Sequence, residues 1–165
     1  MSHGLPEPPA EPAAIRTLDS LAPKFRIRVA AMLADMTTRG FDPVISESLR
    51  TDERQAWLYG MGRDYDDGRG VVTMAPTGNH GWHKFGLAVD VISKRDQWDA
   101  PKRFWDALGA AAFRHQLAWG GLWTKFADRP HVQFGAPMRQ APSARAAELF
   151  AEGGVEAVWK EVGAI

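Results

Sequence analysis

Cysteine is absent from this 165-residue chain, which removes disulfide staples, thiolate metal sites and cysteine nucleophiles together. Any catalysis must use His, carboxylates, hydroxyls or a metal held by nitrogen and oxygen ligands. Net charge is also missing, because 20 Lys and Arg balance 20 Asp and Glu. The chain therefore lacks the basic excess of a dedicated nucleic-acid binder. No apolar run approaches the roughly 20 residues that span a bilayer. Residues 1–9 have neither the basic start nor the apolar stretch of a secretory signal. A His-Glu-x-x-His helix, a Gly-x-Ser-x-Gly elbow and a phosphate-binding loop are all lacking.

What is present is an ordinary globular composition, 45% hydrophobic and 24% charged, enough to build a real core in one domain. Pro6, Pro8, Pro9 and Pro12 mark residues 1–14 as an extended tail. The remainder, 15–165, reads as a single domain. Phe25, Val29, Met32, Leu33 and Met36 recur at helical spacing over 23–38. Val44–Ser46 reads as a strand, Thr51 as the N-cap of the next helix, and 62–81 as a long Gly-rich loop of the kind that is often functional. Leu87–Ile92 and Val132–Phe134 read as strands, Pro101 opens a helix running to about Leu117, and two short helices follow at 143–152 and 154–162. Strands and helices without regular alternation predict an α+β fold.

Two segments carry the chemistry. In the first, Asp90 interrupts an apolar strand, where a carboxylate is costly unless paired or bound to metal. His83 lies seven residues earlier, with the small residues Gly86 and Ala88 between. A His–Asp hydrogen bond at a strand entrance would account for this segment equally well. In the second, Pro130 forces an extended approach to His131, with Asp128 three residues back. Taken together, two His, a strand Asp and a spare carboxylate match a catalytic zinc site with a neighbouring general base.

The pattern His83-x-x-Gly86-x-Ala88-x-Asp90, followed by Asp128-x-x-His131, resembles the zinc peptidases that cut peptidoglycan stem peptides: D-Ala-D-Ala carboxypeptidases and L-alanyl-D-glutamate endopeptidases, phage endolysins among them. Arg50-Thr51 with Gln55 is similar to an upstream segment of that family, and the run from Trp119 through Trp123 to His131 resembles the endopeptidase group. Gly81 stands where the family usually has Ser, and Leu122 where it has Asp. The resemblance spans about residues 20–135. It implies a hedgehog/D,D-peptidase-like fold, a small antiparallel sheet with flanking helices and zinc in a groove. It implies His83, Asp90 and His131 as ligands of one zinc ion, Asp128 as general base, and Arg50 as a group that binds the substrate and steadies the oxyanion. Gln55 supports Arg50 or touches substrate, or else is an ordinary residue of a surface helix. Trp123 either stacks on substrate or packs beneath the zinc.

The implied function is cleavage of the L-Ala–D-Glu bond by a monomeric phage or prophage endolysin, made in the host cytoplasm and acting on the wall after release. A D-Ala-D-Ala carboxypeptidase on the same site is one rival, and a non-catalytic zinc-containing wall-binding module another. The acidic run Asp64–Asp67 has calcium-like spacing but lacks the distal Glu of a full calcium loop, so it reads as a solvated loop. His80 reads as an exposed loop residue near the site, His115 as structural, and His3 as part of the tail. Trp57, Trp98, Trp105 and Trp159 read as core or helix-face residues.

Overall fold

The computed structural model describes residues 4–135 and 138–165; His3 lies outside them. Helix α1 (Pro23–Thr38) opens with Pro23 in its first turn and buries Phe25, Val29, Met32 and Met36 along one stripe. Strand β1 (Pro43–Glu47) leads into α2 (Asp52–Gly60), whose N-cap Thr51 accepts from the Arg54 backbone N–H at 3.2 Å. Strand β2 (Ala88–Ser93), helix α3 (Lys102–Arg114), and strands β3 (Ala118–Trp119) and β4 (His131–Gln133) follow. Helix α4 (Ala144–Val162) is kinked at Gly154, whose φ of 69° is not helical. The two short helices expected there are present, separated at Gly154.

The four strands form one antiparallel sheet in the order β1-β2-β4-β3. Alternation along a strand gives the sheet two chemically different faces. Val89, Val91 and Val132 are fully buried and join the core built by α1 and by Phe104, Trp105 and Leu108 of α3. Asp90 and His131 alternate with them and are directly paired across β2 and β4. On β1 the register slips between Ile45 and Glu47, and this bulge sets Glu47 opposite Asp90. Three strands thus carry Glu47, Asp90 and His131 in one polar row.

Residues 4–17 form neither helix nor strand, yet they are tied down. The carbonyls of Pro9 and Pro12 accept from Trp57 Nε1 at 2.9 Å and Arg54 Nη1 at 2.6 Å, and Glu11 pairs with Arg54 at 2.9 Å. The segment is a strap over α2, because these partners satisfy a backbone that forms no ladder of its own. No described helix is long and apolar enough to cross a membrane.

Candidate active site

His83 sits in a 3₁₀ turn, Trp82–Phe85, that ends at Gly86 with φ 65°. A Cβ at Gly86 would lie 2.6 Å from the Ser20 carbonyl oxygen, so only glycine closes this turn. His83 Nδ1 is 2.8 Å from the Ser48 carbonyl oxygen and donates to it, which leaves Nε2 as the free lone pair. His131 is held the opposite way. Its Nε2 donates to Gln133 Oε1 at 2.8 Å, and Gln133 is itself fixed by donating to the Arg139 carbonyl at 2.9 Å. The free nitrogen of His131 is therefore Nδ1.

Both free nitrogens face Asp90 Oδ1, from His83 Nε2 at 3.3 Å and from His131 Nδ1 at 3.6 Å. That oxygen is buried and has no hydrogen-bond partner among the described residues. The ligand atoms of all three side chains lie within 4.8 Å of one another. Three convergent acceptors, each oriented from behind, make an arrangement that fits a cation. Two imidazoles and a carboxylate suit zinc, with room left for a water or substrate.

Burial works against ionisation of Asp90, but His83, His131 and Arg50 outweigh it and hold its pKa well below the carboxylate range. Burial likewise opposes charge on His131, while Asp90, Asp128 and Gln133 raise its pKa. Asp128 is shifted upward, first by burial and then by the Asp90 charge. It stands 3.9 Å from His131 Nδ1, outside the ligand triangle. A carboxylate there, more basic than usual, is suited to taking up a proton.

Asp128 reaches this place because its turn passes over a glycine. Its backbone N–H donates to the Gly120 carbonyl at 2.9 Å, and a Cβ on Gly120 would lie 2.6 Å from the Asp128 carbonyl oxygen. Trp119 Nε1 anchors the same turn through the Arg129 carbonyl at 2.7 Å. Trp123 packs its ring on His131, centroids 4.9 Å apart, and lines the cleft, so it both supports and borders the site.

Arg50 lies on the other side. Its Nε and Nη2 donate to Glu47 Oε2 at 3.1 and 2.8 Å, Nη1 to Gln55 Oε1 at 3.0 Å, and Nη2 to Asp90 Oδ2 at 3.2 Å. Of the five guanidinium N–H groups, only one on Nη1 remains for substrate. Gln55 is 3% exposed, not the surface-helix residue that composition allowed, and it also donates to the Ala75 carbonyl at 2.8 Å. Its amide thus supports Arg50 and pins the 62–81 loop. The sequence reading missed Glu47, Ser48 and Gln133. Glu47 sits two residues after a strand Ile and gave no signal. Gln133, at i+2 from His131 on a strand, shares its face, which was the available clue.

These residues line a cleft of about 980 Å³. Trp98 also borders it, on a turn and 58% exposed, so it is neither the core nor the helix-face residue expected. Trp57 and Trp105 are buried as expected. His80 is exposed on the cleft rim, its Nδ1 2.7 Å from Thr77 Oγ1. His115 meets Asp35 at 3.0 Å, away from the cleft. In the acidic loop, Asp66 accepts the Gly68 and Gly70 N–H groups at 2.9 Å each, and Asp67 pairs with Arg69 at 2.6 Å. These carboxylates cap their own loop. The only group of described residues arranged for a metal is His83, Asp90 and His131.

A family model described as D-alanyl-D-alanine carboxypeptidase matches residues 75–134. The chain is 30% identical over 124 residues to the peptidoglycan L-alanyl-D-glutamate endopeptidase CwlK of Bacillus subtilis (strain 168), covering 68% of this chain and 72% of that protein. Its fold is similar to that of the L-Ala D-Glu endopeptidase ChiX of Serratia marcescens, with a TM-score of 0.51 at 21% identity over 70% of this chain and 81% of that one. It is also similar to that of VanYB in complex with D-alanine-D-alanine, with a TM-score of 0.53 at 15% identity over 92% and 91%.

Proposed function

The chain belongs to the D-alanyl-D-alanine carboxypeptidase/endopeptidase family of metallopeptidases, and from that premise we propose that it is a zinc-dependent peptidoglycan hydrolase cleaving the L-Ala–D-Glu bond of stem peptides. The observation that carries the reading is the buried, unpartnered Asp90 Oδ1 between two oriented imidazoles, with Asp128 beside them. The choice of bond rests on the similarity to CwlK and on the Trp119–Trp123 run. A phage or prophage endolysin is the setting this reading suits, and that part rests on the resemblance alone.

His83 Nε2, Asp90 Oδ1 and His131 Nδ1 would hold the zinc. When bound, zinc lowers the pKa of a coordinated water to about 7 and polarises the scissile carbonyl. Asp128 takes the proton from the attacking water and returns it to the leaving amine. Its upward-shifted pKa brings it closer to neutrality, where a group serving as base and then acid works best. The remaining Nη1 N–H of Arg50 is available to a substrate carbonyl or carboxylate, and its fixed plane makes it a preorganised donor. Trp123 and Trp98 offer apolar walls to the stem peptide.

Mass spectrometry of purified peptidoglycan digested with and without a chelator tests this. Chelator-sensitive release of peptides beginning at D-Glu is the expected result. Loss of only a terminal D-Ala would move the enzyme to the carboxypeptidase branch of the family. No cleavage of either kind would favour a wall-binding module over an enzyme.

A further inference from the structure

Glu47 is a buried carboxylate, 4% exposed, at the base of the cleft. It stands between two guanidinium groups. Oε2 accepts from Arg50 Nε and Nη2 at 3.1 and 2.8 Å, and Oε1 accepts from Arg54 Nε. Arg54 is anchored in turn by Glu11 at 2.9 Å and the Pro12 carbonyl at 2.6 Å. An unbroken line of alternating charge therefore runs from the N-terminal strap to Asp90. Stability alone does not account for it, because buried ion networks are often no more stable than apolar packing of the same volume.

The sheet makes a specific adjustment to include Glu47. With regular pairing after Ile45 and Val91, Ser46 would face Asp90, and Glu47 would turn toward the apolar face that holds Val89. The bulge brings it into line with Asp90 and His131 instead. There it takes two of Arg50's N–H groups and leaves Asp90 Oδ2 only one, at 3.2 Å. A guanidinium released from Glu47 would be free to grip both oxygens of Asp90, the geometry it favours with carboxylates. Oδ1 would then no longer be available between the two imidazoles.

We propose that Glu47 is a positioning residue for the metal centre, holding Arg50 on a single oxygen of Asp90 so that the other stays free for the cation. This rests on the reading that His83, Asp90 and His131 hold zinc, and it assigns to the β1 bulge the task of tuning that site.

The test is zinc affinity, measured on the full chain by competition with a chromophoric chelator, alongside thermal melts and kcat and KM on a soluble stem peptide. Glu47→Gln keeps the volume and removes the charge. It is expected to weaken zinc binding about 10–100-fold, the usual cost of losing a group that orients a ligand, and to lower kcat more than KM. Glu47→Asp should recover part of both. In an Arg50→Met background the same change should have little further effect, since no guanidinium remains to close on Asp90. Wild-type zinc affinity in a folded Glu47→Gln chain would overturn the proposal. So would an equal loss with and without Arg50, which marks a purely structural role. If Glu47→Gln does not melt cooperatively, Glu47→Met, which keeps the volume and removes the acceptor, decides, and unchanged zinc affinity there overturns it. A wild-type chain that takes up no zinc would instead refute the metal reading, and this inference with it.

Discussion

On one side of the cleft, Glu47, Arg50, Arg54 and Gln55 are buried or nearly so, and their polar atoms are committed to one another, to Asp90 and to the strap. On the other side, the segment 119–130 is held by a few backbone bonds around Gly120 and Trp119 and leaves Leu122 and Phe126 77% and 50% exposed. The first wall contacts the proposed metal ligand Asp90 through charge, and the second brings Asp128 and an open apolar surface. A group that must stay put is thus set in a closed hydrogen-bond network, whereas a group that must exchange a proton sits on a turn open to the cleft. The two carboxylates differ accordingly, Asp90 shifted down and Asp128 up.

Substitutions sharpen this contrast in order of expected effect. His83→Ala or His131→Ala removes one of the three proposed protein ligands, so zinc content by metal analysis and hydrolysis should both fall to background. Full metal content would remove that histidine from the ligand set. Asp128→Ala should keep its zinc and lose about 10²–10⁴-fold in kcat. Loss of metal together with rate would erase the division between the walls. Gly120→Ala places a methyl against the Asp128 carbonyl. Overpacking of about 1–3 kcal/mol should show in the melt, and displacement of the Asp128 turn should cost up to about 10²-fold in kcat with zinc retained.

Arg50→Lys keeps the charge but cannot reach Glu47, Gln55 and Asp90 at once. A loss of roughly tenfold is expected, in zinc affinity as well as rate, because this wall acts through the ligand. Unchanged values would detach Arg50 from the centre. Gly81→Ser restores the residue usual in the family. The backbone at Gly81 is extended, and an added Cβ meets nothing within 4 Å, so stability should change by less than about 0.5 kcal/mol. A larger drop in the melt would show that a serine side chain is crowded at this rim.

Much of this was legible in the chain. Helix α1 follows its apolar stripe, with Leu33 only partly buried, and Thr51 caps α2 as its side chain and position require. Asp90 could be singled out because a charge in an apolar strand needs a reason. The two C-terminal helices were read as separate, and Gly154 does interrupt them. Other features left no local mark. The strap was read as a tail because its contacts, Pro9 to Trp57 and Glu11 to Arg54, join residues more than 40 positions apart. The two-residue strand β3 is too short to show a period. Trp98 has the composition of a core residue, yet it stands at the cleft edge on a turn where the preceding Gln97 has φ 53°.

The sequence by itself determined which side chains were available for chemistry. Without cysteine, and with two histidines placed near two carboxylates, a nitrogen-and-oxygen metal site was the economical reading. It also determined the apolar periods that fold the helices, since those depend on neighbours three or four residues away. The tertiary structure decided how the ligands are aimed. It selected Nε2 of His83 and Nδ1 of His131 through the Ser48 carbonyl and Gln133. It slipped β1 by one residue to bring Glu47 beside Asp90, and it divided Asp90's two oxygens between an arginine and the cation site. Those choices depend on strand register and on hydrogen bonds between distant segments, which exist only once the sheet has formed.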